Sequence, residues 1–459
     1  MTLIKSISGI RGTIGGCPGN ALTPLDIVKF TSAYGNWLKK NSTGPYKVVT
    51  GRDARVSGSV VAAIVNNTLV SLGIDVVDLG LATTPTVEVA VTGLKASGGI
   101  ILTASHNPAQ WNALKLLNGR GEFLSAADGE EVLRIAAAEE FDYAEWNKLG
   151  TLTADSTWCD RHIKAVLELK YVDAELIRKA GFRIAVDAVN SVGGIAIPAL
   201  LKALGVAEVI EVNCNPTGLF AHNPEPLPEH LGEISEVMKK TKADVGFVVD
   251  PDVDRLAIIC EDGTMFGEEY TLTAVSDFIL SNEKGTTVSN MSSSKALKDV
   301  TESHGCKYYN SAVGEVNVVE EMKRVNAVIG GEGNGGVIYP AIHYGRDALV
   351  GVALFLTHLA KSKLKCSELR KKYPDYFMAK KRMDLTGQID MDRIAASLSL
   401  EFPGYELDRR DGIRIALPDG WLQVRKSNTE AIIRVYTEEK SREKADKLAD
   451  RVINLIRLI

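Results

Sequence analysis

The chain has 459 residues, too long for one ordinary core, and at about 100–200 residues per domain this length predicts three or four domains. Lys and Arg number 53 against 58 Asp and Glu, and the formal net charge of −5 leaves no general positive field for holding nucleic acid or an anionic membrane. With 45% hydrophobic and 24% charged residues, the composition is that of a folded globular protein rather than a disordered or fibrous one.

The cysteines and the N-terminus indicate the compartment. Six cysteines lie far apart, without a C-x-x-C pair or the spacing of a metal knuckle, which fits a reducing environment. The N-terminal residues MTLIKSISGIRGTIGG lack the apolar core of a signal peptide. Charges also interrupt every hydrophobic run before the about 18 residues that a membrane span needs. We therefore expect a cytoplasmic protein.

Short β-branched apolar runs alternate with stretches of helical period, the pattern of a parallel sheet covered by helices. Strands are predicted at residues 46–50, 99–102, 182–186 and 245–249. Residues 59–72 predict a crossover helix. A unit of strand, Gly- or Asp-containing turn and helix recurs after residues 51–55, 186–194 and 248–254, which suggests one α/β module used three times.

The pattern changes near Tyr373. Beyond it, alternating segments predict antiparallel strands, two of which an Asp-Gly turn joins. These segments are residues 412–417, 421–425 and 431–436, followed by an amphipathic helix at 441–459. We thus expect three α/β domains and a smaller C-terminal α+β domain. The expected domains are residues 1–155, 156–256, 257–370 and 371–459.

Asp250, Asp252 and Asp254 follow an apolar strand directly, in VVDPDVDR. Three carboxylates so close repel one another, and a cation that prefers oxygen ligands relieves the repulsion. A solvated acidic turn is the simpler interpretation. An EF-hand loop is excluded, because Arg255 occupies the position that requires Gly. The haloacid-dehalogenase pattern, in which Asp250 is a phosphatase nucleophile, remains an alternative.

Ser105 and His106 follow another apolar strand, in TASHNP, with Lys115 shortly behind. A serine at the carboxyl edge of an open α/β sheet lies where ligands usually bind. As a phosphoserine it would be a phosphoryl donor with about −2 charge. Alternatively, Ser105 caps a turn and His106 packs against its neighbours.

Two further segments have ligand-binding character. The first, RKSNTE together with Arg434 beyond it, offers two arginines, two hydroxyls and an amide for a phosphate dianion, or forms a plain polar hairpin. Its candidate residues are Arg425, Ser427, Asn428 and Thr429, with Arg434 on the next strand. The second, GEGNGG at 331–336, places Glu332 and Asn334 among glycines, which suits a polyol or a tight turn. The apolar run VIYP after it argues against a dinucleotide loop.

Arginines also lie at Gly-flanked element ends, in SGIRG and GRDAR. Arg11, Arg52 and Arg55 are therefore candidates for phosphate contacts.

Taken in order, SGIRG, GRDAR, TASHNP, DPDVDR, GEGNGG and RKSNTEAIIR resemble the α-D-phosphohexomutases, which comprise phosphoglucomutase, phosphomannomutase and phosphoglucosamine mutase. The resemblance implies three similar α/β domains with mixed sheets and a fourth domain of TATA-box-binding-protein-like topology around a central cleft. It also implies a small sugar phosphate as substrate, without nucleic acid or membrane partners, and a monomer or homodimer.

The resemblance assigns roles to the candidate residues. Ser105 is the phosphorylated residue and, with Asp250, Asp252 and Asp254, holds Mg²⁺. Arg11, His106, Lys115 and Arg255 belong to the catalytic cleft. The sugar and phosphate loops contain Glu332, Asn334, Arg425, Ser427, Asn428, Thr429 and Arg434. The implied reaction interconverts hexose 1- and 6-phosphates through a hexose 1,6-bisphosphate, which also serves as activator.

Two features bear on details of the reaction. Some relatives carry His where Gly336 stands, so a histidine acid or base is missing there, and His343 is one candidate to replace it. GEGNGG is closest to archaeal-type variants, and phosphoglucosamine mutase is the preferred assignment. The alternatives are phosphoglucomutase/phosphomannomutase, the Mg²⁺-dependent phosphatase with Asp250 as nucleophile, and a catalytically silent sugar-phosphate-binding protein.

Overall fold

The computed structural model describes residues 1–6, 9–384, 390–426 and 432–458. The chain divides into two compact units. Unit 1 consists of Met1–Thr271 and Asn334–Leu369, and unit 2 consists of Leu272–Gly333 and Arg370–Ile459. Among the described helices, none combines the length and the apolar character needed to cross a lipid bilayer.

Strands and helices alternate through most of the chain. The strands are β1 (Leu3–Ser6), β2 (Gly9–Thr13), β3 (Lys47–Arg52), β4 (Asp75–Leu81), β5 (Gly98–Leu102), β6 (Trp111–Leu117), β7 (Leu152–Ala154), β8 (Arg183–Asp187), β9 (Glu208–Val212), β10 (Val245–Val249), β11 (Leu256–Cys260), β12 (Thr287–Asn290), β13 (Tyr308–Ser311), β14 (Ile329–Glu332), β15 (Gly336–Ile338), β16 (Phe377–Asp384), β17 (Leu407–Asp408), β18 (Ile413–Leu417), β19 (Gly420–Lys426) and β20 (Ile432–Glu439). The α-helices are α1 (Pro24–Asn41), α2 (Gly58–Ser71), α3 (Thr84–Gly93), α4 (Ala126–Ala138), α5 (Trp158–Leu167), α6 (Ala174–Ala180), α7 (Gly193–Leu204), α8 (Gly232–Thr241), α9 (Glu268–Asn282), α10 (Lys295–Ser303), α11 (Glu315–Val325), α12 (Ala348–Ser362), α13 (Cys366–Arg370), α14 (Met391–Glu401) and α15 (Arg442–Arg457).

The first sheet of unit 1 is mixed, with strand order β1-β2-β6-β5-β3-β4-β7. Strands β5, β3, β4 and β7 run parallel, whereas β1, β2 and β6 pair antiparallel. Val48 and Ile100 pack into one core with residues of α1 and α2, while Val49 and Ile101 pack into a second core with residues of α3. Both faces are covered, which explains why the predicted strands read as continuous apolar runs.

The second sheet of unit 1 has the order β11-β10-β8-β9. Strands β9, β8 and β10 are parallel, and β11 pairs antiparallel with β10. The prediction of a helix directly after residues 248–254 is wrong, because the chain turns there into β11. Every residue of β11 is buried, and a short turn suffices for antiparallel pairing. The strand-turn-helix units at β3 and β8 are confirmed by α2 and α7.

In unit 2, β12 pairs in parallel with β13 and β14. The C-terminal sheet is antiparallel in the order β16-β20-β19-β18-β17. Ile413, Leu422 and Ile433 of this sheet share a core with Leu448 and Val452 of α15. The predicted C-terminal α+β arrangement is thus confirmed, including the helix that packs on the sheet.

Glu438 of β20 is buried and connects the C-terminal sheet to α10. Its Oε1 accepts a hydrogen bond of 2.8 Å from the backbone N of Lys295, the first residue of α10. Burial raises the pKa of Glu438 to about 7, although hydrogen bonds and the charge of Arg414 act in the opposite direction. The carboxyl is therefore held in its neutral form over a wider pH range than in the unfolded chain.

We expect Glu438→Gln to remove a pH-dependent loss of stability. The neutral Glu438 carboxyl stabilises the folded protein fully below about pH 4.5, where the folded and unfolded states both carry the proton. This stabilisation is lost as the pH rises to about 7. One pKa unit corresponds to about 1.4 kcal/mol, so the loss amounts to about 3 kcal/mol. Melting temperatures of wild type and variant across this pH range measure it. Glu439→Gln on the same strand should keep the wild-type pH dependence, and coinciding profiles for wild type and Glu438→Gln would contradict this prediction.

Candidate active site

Ser105 lies in the turn that follows β5, and its hydroxyl contacts the aspartate segment after β10. Its Oγ donates a hydrogen bond of 2.7 Å to Oδ2 of Asp250, which lies 145 positions away in the sequence. The backbone N of Ser105 donates to Oγ1 of Thr103 at 2.9 Å, and Nδ1 of His106 lies 3.4 Å from the serine Oγ. The structure of unit 1 thus brings together two segments that the sequence predicted to share a site.

Arg55 holds the serine turn from behind. Its guanidinium donates to four backbone carbonyl oxygens, those of Ser105 (2.5 Å), Asn107 (2.6 Å), Pro108 (2.7 Å) and Trp111 (3.0 Å). Its Nε donates to Oδ2 of Asp53 at 2.9 Å, and Arg55 is buried. All five N–H groups of a guanidinium are then occupied. The expectation that Arg55 contacts a phosphate is therefore wrong, because the serine turn and Asp53 together use every donor.

Asp53 completes this support. Its Oδ2 also accepts a hydrogen bond of 2.7 Å from Oγ1 of Thr103, the same hydroxyl that accepts from the backbone of Ser105. Ser105 adopts a left-handed backbone conformation with φ of 47°, which costs a non-glycine residue about 1–2 kcal/mol. The hydrogen bonds of Asp53, Arg55 and Thr103 therefore maintain a strained conformation that directs the serine side chain.

The aspartate turn is built around Asp250. Its Oδ1 accepts hydrogen bonds of 3.2 Å from the backbone N of both Asp254 and Arg255, and Val253 takes a positive φ of 65°. All three aspartates are fully buried. One oxygen from each of the three lies within 4.8 Å of the others. Within the part of the chain that the structure describes, Oδ1 of Asp252 and Oδ1 of Asp254 accept no hydrogen bond. Buried, unpaired carboxylate oxygens in this arrangement fit a hard divalent cation with oxygen ligands.

Basic side chains from separate elements surround these carboxylates. Nζ of Lys115 lies 2.7 Å from Oδ2 of Asp252 and 3.5 Å from Oδ2 of Asp254. Arg346, which precedes α12, donates to Oδ2 of Asp254 at 2.7 Å. Nε of Arg255 lies 3.8 Å from Oδ1 of Asp254. Several cationic side chains therefore compensate the negative charge of these carboxylates.

The pKa values follow from burial and from these charges. Burial raises the pKa of Asp250 well above its usual value, and the charges of Asp254 and Asp252 raise it further. Burial also acts to raise the pKa of Asp252, but Lys115 outweighs it and lowers this pKa. The charge of Arg255, followed by burial, keeps the pKa of His106 well below its usual value. His106 is consequently neutral at neutral pH.

The remaining predicted residue of the first sheet, Arg11, lies on β2 opposite Ala113 of β6 and is half-buried. Asn334, also in unit 1, uses Oδ1 to accept a hydrogen bond from its neighbour Gly336 at 3.2 Å. Arg52 is half-buried and donates to the carbonyl of Asp53 at 3.2 Å.

Unit 2 contains the other predicted ligand residues. Glu332 is buried, and its Oε1 accepts from Nδ2 of Asn290 (2.7 Å) and from the backbone N of Gly314 (3.2 Å). Arg425 on β19 lies opposite Arg434 on β20 and donates from Nε to Oδ1 of Asp411 at 2.8 Å. Ser427, Asn428 and Thr429 lie outside the described residues.

Sequence reasoning missed Thr84 and Arg346, which both contact the aspartate turn. Oγ1 of Thr84 donates to Oδ2 of Asp252 at 2.6 Å. A signal for Arg346 was present, because GRDA occurs twice, at 51–54 and at 345–348. A signal for Thr84 was not, since a threonine before Pro is common at helix starts.

The chain was compared with protein families and with known proteins. The phosphoglucomutase/phosphomannomutase α/β/α domains I, II and III match residues 3–143, 160–263 and 267–376, and the C-terminal domain of the same group matches residues 377–455. These matches include Ser105, the aspartate turn, the GEGNGG segment and the RKSNTE segment.

Relatives of similar length agree. A phosphoglucomutase/phosphomannomutase of Thermococcus kodakarensis is 37% identical over 453 residues, covering 97% of this chain and 98% of its own. A phosphoglucosamine/phosphogalactosamine mutase of Sulfurisphaera tokodaii is 32% identical over 456 residues and 98% of both chains. The crystal structure of a phosphoglucomutase/phosphomannomutase family protein from Burkholderia thailandensis superposes with a TM-score of 0.85 at 25% identity, over 99% of this chain and 97% of that chain. The chain therefore belongs to the phosphoglucomutase/phosphomannomutase family of phosphohexomutases, which are isomerases.

Proposed function

We propose that this enzyme interconverts hexose 1-phosphates and hexose 6-phosphates through a phosphoserine at position 105 and a bound hexose 1,6-bisphosphate. The observation that carries the proposal is the 2.7 Å hydrogen bond from Ser105 Oγ to Asp250, one of three fully buried aspartates. A serine hydroxyl beside a site for a divalent cation and several basic side chains is equipped for phosphoryl transfer, in which charge stabilisation is the main task.

Asp250, Asp252 and Asp254, with an oxygen on Ser105, are the proposed ligands of Mg²⁺. The unpaired Oδ1 atoms of Asp252 and Asp254 support this assignment. Mg²⁺, when bound, supplies positive charge for the oxygens of the transferring phosphoryl group. Lys115 and Arg255 add to that charge from the protein side, because both lie against the same carboxylates.

The chain's own residues then perform two transfers. The bond between phosphorus and Ser105 Oγ breaks as a bond to a sugar hydroxyl oxygen forms, and the proton of that hydroxyl ends on Ser105 Oγ. The bisphosphate turns end for end, and its other phosphoryl group returns to Ser105 by the reverse step. Neither water nor a nucleotide is consumed, so the net reaction is an isomerisation. Neutral His106 and the cationic Arg11 belong to the proposed catalytic set.

The sugar and the phosphate that is not reacting are assigned to the other predicted residues. Glu332 and Asn334 would bond sugar hydroxyls, and Arg425 with Arg434 would bind phosphate, together with the loop residues Ser427, Asn428 and Thr429. A bidentate guanidinium contact suits a phosphate dianion. Such contacts tolerate either orientation of the sugar, which the two transfers require.

The phosphatase alternative, with Asp250 as nucleophile, is less well supported. Oδ1 of Asp250 accepts two backbone hydrogen bonds, and Oδ2 accepts that of Ser105. A nucleophilic carboxylate needs an oxygen with access to the substrate phosphorus. We therefore assign the role of phosphoryl carrier to the serine hydroxyl rather than to Asp250.

Ser105→Ala should abolish mutase activity, with a loss of at least about a thousandfold, because the phosphoryl carrier is removed. Mass spectrometry of the wild-type enzyme should locate one phosphoryl group on Ser105. As a control, Ser71→Ala on α2, whose hydroxyl donates to the carbonyl of Asn67 one turn earlier on the same helix, should retain full activity. Fully active enzyme without phosphate on Ser105, or release of inorganic phosphate by Ser105→Ala at the wild-type rate, would favour the phosphatase instead.

For the substrate we propose glucosamine phosphate, with glucose and mannose phosphates as the alternative. The relatives described above carry both kinds of name. The comparison of kcat/KM for glucosamine, glucose and mannose 1-phosphates, each with its own 1,6-bisphosphate, should favour glucosamine. A higher value for glucose or mannose would reassign the enzyme, and equal values would mean that the site does not discriminate at the second carbon.

Arg55→Lys should lower kcat by about a hundredfold with little change in KM, because misplacement of a reacting group by about 1 Å has an effect of this size. An ammonium has three donors and cannot reproduce the five bonds of the guanidinium. The rate at which glucose 1,6-bisphosphate phosphorylates Ser105 should fall in parallel. Arg134→Lys, on the surface of α4, is the matched control. A raised KM with unchanged kcat would instead mean that Arg55 binds substrate.

A further inference from the structure

Unit 1 contains a second buried group of titratable side chains, close to the aspartate turn but separate from it. Glu88 of α3, His162 of α5, His343 and Asp347 form this histidine–carboxylate cluster. Their side chains are at most 4% exposed. The cluster joins helices from distant parts of the sequence, and the proposed reaction does not use it. The sequence-based suggestion that His343 serves as an acid or base stays a prediction, and the contacts of the ring favour a different role.

His343 lies between two carboxylates. Its Nδ1 is 3.1 Å from Oε2 of Glu88, and its Nε2 is 3.1 Å from Oδ2 of Asp347. Carboxylates that face both nitrogens of a buried ring favour the imidazolium, in which each nitrogen carries a proton. Burial disfavours this charge, but the bonds to Asp347 and Glu88 outweigh it and raise the pKa of His343 to about 10.

His162 has the other protonation pattern. Its Nε2 donates to the same Oδ2 of Asp347 at 2.9 Å, and its Nδ1 lies 3.0 Å from Oγ1 of Thr86, a hydroxyl that can donate. One proton on the ring satisfies both contacts. Asp347 therefore receives two N–H groups at Oδ2, while its Oδ1 accepts from the backbone at the start of α12.

The two segments joined by His343 are the same two that hold the aspartate turn. On one side, the backbone N of Thr84 donates to the carbonyl of Asp252 at 2.9 Å, and Glu88 follows one helical turn later on α3. On the other side, Arg346 bonds Asp254, and the backbone N of Ala348 donates to the carbonyl of Val253 at 3.2 Å. The distance between α3 and the start of α12 therefore determines how Asp252 and Asp254 are positioned relative to each other.

The close approach of these segments is built into the chain at Gly345. A Cβ at this position would overlap Oε2 of Glu88. Glycine allows this close approach without displacement of the end of the Glu88 side chain. Loss of the imidazolium would remove a favourable charge from the buried Glu88 carboxylate.

We propose that the imidazolium of His343 is a positioning residue that bridges Glu88 and Asp347 and thereby holds Asp252 and Asp254 in the arrangement that binds a divalent cation. The inference rests on the proposed Mg²⁺ site. It adds a determinant of metal affinity that touches neither the metal ligands nor the substrate.

The test measures Mg²⁺ binding by calorimetry without sugar phosphate. His343→Gln cannot bridge two carboxylates, because its amide presents one donor group and one acceptor. The dissociation constant should rise by about tenfold, the lower end of the range for residues that orient metal ligands indirectly. The matched control is His304→Gln in unit 2, which removes a histidine bonded to Asp277 and should leave Mg²⁺ affinity unchanged. Unchanged affinity in His343→Gln would overturn the inference, whereas a wild-type enzyme that binds no Mg²⁺ would overturn the proposed metal site as well.

A second measurement needs no variant. Nitrogen-15 NMR of the wild-type histidines should show both ring nitrogens of His343 protonated at neutral and mildly alkaline pH. The same atoms of His162, His343 and Asp347 could instead hold a transition metal, because they lie within 4.8 Å of one another. Stoichiometric Zn²⁺ binding in excess Mg²⁺, lost in His162→Gln, would overturn the imidazolium assignment, and so would a neutral His343 ring.

Discussion

Repulsion among Asp250, Asp252 and Asp254 is the constraint on which the candidate site depends. None of the three carboxylates is exposed to water. Burying an ionised carboxylate costs several kcal/mol unless charges and hydrogen bonds compensate it. The backbone of the turn satisfies only Asp250, through Oδ1. Positive charges or hydrogen-bond donors from other elements therefore have to compensate the carboxylates of Asp252 and Asp254.

The compensation comes from elements that are far apart in sequence. Lys115 extends from β6, Arg346 precedes α12, and Thr84 begins α3. Because each contributor belongs to a different element, the turn is correctly formed only when the core of unit 1 is assembled. In the described part of the chain, Oδ1 of Asp252 and Oδ1 of Asp254 accept no hydrogen bond, and a cation fits beside these two oxygens. The proposed metal binding would therefore be coupled to folding at this turn.

The sequence predicted the parts of this arrangement that depend on local pattern. The apolar runs located β5 and β10, and the residues that follow them gave Ser105 and the aspartates, since strand ends place side chains at one sheet edge. It wrongly placed a helix after the aspartate turn in the repeated unit, although residues 256–260 form an apolar, strand-like run, because a short apolar run alone does not distinguish strand from helix. It also could not separate Arg55 from Arg255. Both lie in polar turns, and only tertiary packing decides which guanidinium is enclosed.

Enclosure gives Arg55 its influence on the site. A left-handed backbone at Ser105 would relax in an isolated turn, because a non-glycine residue disfavours it. The planar guanidinium of Arg55 donates hydrogen bonds to four carbonyls of the turn and is itself bound to Asp53. Several hydrogen bonds therefore stabilise the strained conformation together. In this conformation the serine hydroxyl donates its hydrogen bond to Asp250. The orientation of the proposed phosphoryl carrier is therefore decided by an arginine whose donors are all occupied by the protein.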